Sequence, residues 1–167
     1  MVTAALLLAV GAVLGLVENA LLPPLPVPGV RLGLANIAVV LALVSLGPRR
    51  ALLVSVGRVV LVGMLSGSLG GPASLLALSG ALSAWSAMTL LASAGDRFSV
   101  VGWSVAGAAS HVVGQLLAAC VVTGSAAPLA FTPVSLMLAL VCGLAIGLCS
   151  RLLLSRIPFA RSAEVLG

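Results

Sequence analysis

The sequence predicts an all-α protein, a polytopic membrane bundle of six transmembrane helices. Three observations carry that prediction. Of 167 residues, 62% are hydrophobic and only 7% are charged, where a soluble domain carries about a quarter charged residues, and the mean hydropathy is +1.34. Apolar runs of helix-spanning length recur along nearly the whole chain, and they lack the alternation of barrel strands. The arginines fall between the runs in a one-sided pattern. Residues 1–167 therefore read as a single integral membrane domain in the lipid bilayer, with no soluble domain.

The breaks between runs define the elements. Helix 1 is expected from about Val2 to Ala20, ending at the segment 21-LLPPLPVPGVRLGLAN-36, where proline has no N–H to continue a helix. Helix 2 covers about Leu32–Leu46 and stops at 47-GPRR-50, and helix 3 covers about Ala51–Leu65 and stops at 66-SGSLGGP-72. Both are short for a span of about 20 residues. Helix 4 runs from about Ala73 to Ala92, before 93-SAGDRFS-99, and helix 5 from about Val100 to Val122, before 123-TGSAAPLAFTP-133. Helix 6 occupies about Val134–Leu154 and is followed by a short basic tail. No cleavable signal is expected, because Val2–Val17 has no basic start before it and no small-residue cleavage site precedes Pro23.

Arginine placement orients the bundle. Arg49 and Arg50 lie between helices 2 and 3, Arg97 lies between helices 4 and 5, and Arg151, Arg156 and Arg161 lie at or beyond the end of helix 6. Six spans put all of them on one side. The other side keeps only Arg31, while Arg58 is inside helix 3. The positive-inside rule then makes both termini cytoplasmic in a plasma-membrane protein. The net charge of +5 comes from arginine alone, since the chain has no lysine. It reports orientation, and no nucleic-acid partner is expected. Cys120, Cys142 and Cys149 sit inside apolar runs and read as small core residues, neither a disulfide framework nor a metal site.

Polar groups at membrane depth are costly and usually face a bundle interior or a cavity. Glu18 and Asn19 end helix 1 at the outer side; Arg31 and Asn36 begin helix 2 there; Arg58 is near the middle of helix 3. In 104-SVAGAASHVVGQ-115 the residues Ser104, Gly107, His111 and Gln115 recur at intervals of three and four, which places them on one helical face. These groups suggest a pocket open to the outside and floored near the midplane. The proline-rich segment suits a lid. It is stiff, Leu25 and Val27 can cover a ligand, and Arg31 can meet a polar or anionic group. Structural readings stand beside these. The outer loops can be plain turns, Arg58 can pair with Glu18 or helix-end carbonyls, and His111 and Gln115 can be interhelical hydrogen-bond links. Ser79, Ser83 and Ser86 on helix 4 are expected to bond their own backbone carbonyls. Trp103 is expected to be an interface anchor and Trp85 a packing residue. Small residues four apart, Ala5 with Ala9, Gly11 with Gly15 and Gly143 with Gly147, allow close helix contact.

The segments PLPVPGVRLGLANI, VGRVVLVG around Arg58, GGPASLLALSGALS and ASHVVGQL together resemble the Gx transporter family, often labelled heptaprenyl diphosphate synthase component I. The resemblance covers roughly Gly15–Leu154. That family is similar to the six-helix, substrate-binding S components of energy-coupling factor transporters. The resemblance implies an S-component-like fold and a substrate-binding membrane subunit, with Arg31, Asn36, Arg58, His111 and Gln115 on matching motif positions. It also implies a membrane coupling protein docked at Ala5 and Ala9, and separate cytoplasmic subunits that hydrolyse ATP.

The enzyme label meets a chemical objection. Prenyl diphosphate synthesis needs clustered aspartates to hold Mg²⁺ on a diphosphate, and this chain has one aspartate, Asp96. Catalysis by the chain itself is not expected, and neither is ATP hydrolysis, because there is no GxxxxGK[ST] motif. No bound cofactor is expected. An accessory subunit of prenyl diphosphate or quinone synthesis and a solitary small-molecule facilitator remain as alternatives. With 3% aromatic residues and no tyrosine, a stacking cage for a flat ligand is poorly supplied. The arginines, His111 and Gln115 amid Leu and Val suit a small amphipathic substrate, with an isoprenoid or quinone precursor as a loose fit.

Overall fold

Proline and glycine set the helix boundaries. The computed structural model describes residues 2–21 and 33–156. It contains α1 (Val2–Leu21), α2 (Asn36–Leu46), α3 (Pro48–Leu65), α4 (Pro72–Ser93), α5 (Val100–Thr123) and α6 (Thr132–Arg156). Short 3₁₀ turns at Gly95–Arg97 and Ala127–Phe131 precede α5 and α6. No strand occurs among the described residues. Pro48 and Pro72 open α3 and α4, where a missing N–H costs no hydrogen bond. Gly47, at φ 84°, is the whole connection between α2 and α3. The segment 47-GPRR-50, expected as a break, thus supplies the first turn of α3.

Four segments are long and apolar enough to cross a membrane: α1, α4, α5, and Ala127–Arg156 with α6. At 1.5 Å per residue α2 is only about 16 Å long, roughly half the hydrocarbon thickness. Helix α3 has 18 residues but carries Arg49, Arg50 and Arg58. Length and composition thus single out four spans, and α2 and α3 differ from the rest.

The core explains the short helix. Ala38, Val39, Val40, Ala42 and Leu43 of α2 are buried with Ala51 and Val54 of α3 and Ala84 and Met88 of α4. A run of consecutive buried residues leaves α2 no solvent or lipid face, so it needs no amphipathic stripe. A second cluster joins Ala108, Val112 and Leu116 of α5 to Ala139 of α6. By contrast, Leu90, Val121, Met137, Val141 and Leu152 are large, apolar and exposed, as expected of faces turned to lipid.

Close helix contacts rest on glycine and serine. A side chain at Gly147 would come within 2.8 Å of the Val101 Cα, and one at Gly143 within 2.9 Å of the Val105 Cα. Between them the buried Ser104 hydroxyl donates to the Gly143 carbonyl at 2.8 Å. These small residues therefore serve packing of α6 on α5. Ser79 donates to its own helix at Leu76 and across to the Gly114 carbonyl of α5. The Trp85 indole donates to the Pro48 carbonyl at 2.9 Å and packs on the core. Trp103 also packs against that core.

The same contacts fix the ends of the bundle. Gly147 against Val101 sets the end of α6 beside the start of α5, and Trp85 sets the later half of α4 beside the start of α3. Exposed Arg49, Arg50, Arg97, Arg151 and Arg156 accordingly gather at one end. Arg31, Arg161 and the proposed lid (Leu25, Val27) lie outside the described residues.

Candidate functional site

A cavity of about 70 Å³ lies between the helices, displaced toward the end opposite the arginine cluster. The end of α1, the start of α2, the second half of α3 and the start of α4 surround it, and the middles of α5 and α6 close it.

Glu18 is 5% exposed. Its carboxylate accepts from the backbone N–H of Gly33 at 2.8 Å and of Leu34 at 3.1 Å. A buried carboxylate is tolerable when charge-assisted bonds replace its water. The position before α2 adds to this, since a helix N-terminus favours negative charge. Gly33 is required here. Its φ of 72° is left-handed, and a side chain would sit 3.3 Å from Ile146 and 3.4 Å from the Asn36 amide. The carboxylate thereby ties the end of α1 to the entry of α2.

Asn36, buried at the start of α2, accepts from Arg58 Nη2 through Oδ1 at 2.8 Å. Helix α1 passes close by. A side chain at Gly11 would sit 3.2 Å from Ala38 Cβ of α2 and in ordinary contact, at 3.6 Å, with Arg58 Cδ. Of the two readings of Arg58 open in the sequence, a pair with Glu18 is not what forms. Both carboxylate oxygens are on backbone amides, and the guanidinium is on Asn36.

Five of the expected site residues line the cavity: Glu18, Asn19, Asn36, Arg58 and His111. Asn19 is exposed at its rim. Gln115 does not line it. That side chain is 3% exposed and packed behind His111 against Gly80, and its Oε1 has no hydrogen-bond partner among the described residues. Arg31 is outside the described residues. Ala5 and Ala9 are exposed on the outer face of α1, away from the cavity.

Sequence reasoning passed over Gly15, Ser68, Ser74, Cys142 and Ile146, which also line the cavity. Cys142 is a free, half-buried thiol. Its one available signal was position: it is the residue before Gly143, which packs against α5. The walls otherwise come from Val59, Val62, Ala77, Val112 and Ile146. A guanidinium, an imidazole, an amide and a carboxylate thus meet in an otherwise apolar cavity, an arrangement suited to holding a polar head with an apolar body.

Fold and cavity together define a helical membrane-type protein with a largely apolar pocket between its helices, carrying a few strongly polar side chains. By sequence, the chain belongs to the heptaprenyl diphosphate synthase component I family, whose description matches residues 7–153. Comparisons with curated proteins and with solved structures give no significant match.

Proposed function

We propose that this chain is the substrate-binding membrane subunit of an energy-coupling-factor-like uptake transporter. Its ligand is a small amphipathic molecule, with isoprenoid or quinone precursors as the class to try first. On this reading the fold is S-component-like with six spans, α2 and α3 entering the bilayer beside the four longer helices. The arginine end faces the cytoplasm with both termini, and the cavity opens outward. Separate cytoplasmic subunits hydrolyse ATP, reached through a coupling protein seated on Ala5 and Ala9. The chain itself holds no cofactor and catalyses no reaction.

The cavity carries the reading. Asn36, Arg58 and His111, with Glu18 behind the entry to α2, come from four different helices to one space with apolar walls. Groups this costly inside a membrane are usually functional. Native mass spectrometry of gently purified protein should find a co-purifying small molecule, and Arg58→Ala should lose it. Co-purification should also recover ATPase subunits. Full-rate transport by the chain alone in ATP-free liposomes would sink the proposal in favour of a facilitator.

The family description favours a second reading, an accessory subunit of prenyl diphosphate synthesis. A single aspartate cannot supply the paired acidic ligands of that chemistry, so the reaction would belong to a separate catalytic subunit. Recovery of a prenyltransferase in place of ATPase subunits would select this reading.

A further inference from the structure

His111 and Gln115 share one neighbour, the buried Gly80 of α4. A Cβ at position 80 would stand 2.7 Å from Gln115 Cγ, 2.8 Å from His111 Nε2 and 2.9 Å from His111 Cδ2. No real side chain tolerates such distances, so any residue larger than glycine forces these two groups to move. His111 is bounded by α4 on one side and by the cavity on the other. The space available to a displaced ring is the cavity. Gln115 offers little resistance, because its amide oxygen is not anchored by a hydrogen bond among the described residues.

We infer that Gly80 is a positioning residue of the pocket. The notch left by its missing side chain holds His111 and Gln115 back, so the size of residue 80 sets the size of ligand head that the pocket accepts. The inference rests on the pocket reading of function and adds a determinant of specificity that touches no ligand itself. An imidazole swung into the cavity would take space from a ligand head, because the ring already lines its wall.

Cys142 provides a reporter that needs no ligand, because its thiol lines the same cavity. With Cys120 and Cys149 replaced by serine, Cys142 is the single thiol. N-ethylmaleimide then alkylates it, forming one Sγ–C bond while the thiol proton passes to the neighbouring maleimide carbon. In the purified full-length protein, Gly80→Ala should slow this alkylation by about fivefold, the population change produced by an overpacking cost at the low end of its usual range. His111→Ala should speed it, and Gly80→Ala combined with His111→Ala should recover at least the parental rate. An unchanged rate in Gly80→Ala, or no recovery in the double variant, overturns the inference. Should Gly80→Ala fail to fold, His111→Ala carries the test, and a rate no faster than the parent's overturns the inference equally. This pattern is independent of any transport or binding assay, so a failed search for the ligand would count against the proposed function and leave the notch standing.

Discussion

An arginine inside a membrane costs at least ~2.5–3.5 kcal/mol on insertion scales unless something meets it. Arg58 is met by Asn36. A hydrogen bond to a charged group contributes about 1.5–3 kcal/mol, so Arg58→Ala and Asn36→Ala should not add. A double-mutant cycle on denaturation in detergent should give a coupling of roughly 1–3 kcal/mol, and a coupling near zero would mean that the pair does not form in solution. Glu18 acts differently, through backbone amides. Glu18→Ala should cost about 1–3 kcal/mol of stability and Glu18→Gln less, since the amide keeps one acceptor. Equal losses would contradict the two-bond geometry. The cost of burying polar groups is what made Asn36, Arg58 and His111 legible from sequence. The partners of Glu18 were not legible, because main-chain N–H groups carry no letter in a sequence. Ser74 and Cys142 escaped for another reason: small residues among alanines and leucines form no distinguishable pattern.

Helix boundaries were legible where proline or glycine punctuates the chain, and α4 and α5 begin and end within a residue of expectation. The start of α3 was not, because arginines suggested a loop where Pro48 instead opens a helix. The small-residue pairs looked alike in sequence, and only packing separates them. Gly147 meets Val101 and Ser104, while Ala5 and Ala9 face outward. Gly147→Leu should therefore disrupt the α5–α6 contact and lower stability by about 1–3 kcal/mol or more. Ala5→Leu with Ala9→Leu should change it by less than about 0.5 kcal/mol per site. The same pair of substitutions should weaken assembly with a coupling protein if that partner sits there. Thermal melts of the two variants, followed by pull-down, separate the roles. A large loss of stability from the Ala5 and Ala9 changes would mean that this face packs internally.

At the scale of the whole molecule, the arginines at one end and the cavity toward the other make a polarised object. Reporter fusions should read cytoplasmic at Arg50, Gly95 and the C-terminus, and external at Gly29, Gly70 and Ala127. An external reading at Arg50 would remove the orientation and with it the outward-facing pocket. The short α2 then has a consequence for how the protein is made. Its eleven residues are too few to settle in a bilayer alone, and a single glycine joins it to α3. On the proposed six-span reading the two helices leave the translocon as one hairpin, and a pulling-force assay on the nascent chain should register one insertion event where two separate spans would give two. Helix α2 also packs against α4, α5 and α6, which the ribosome has yet to synthesise at that moment. Until they arrive, its Asn36 and the Gly33–Leu34 amides depend on α1 and α3 alone. A chain interrupted before α6 is thus an incomplete enclosure, and it should be recognised by membrane proteases and cleared.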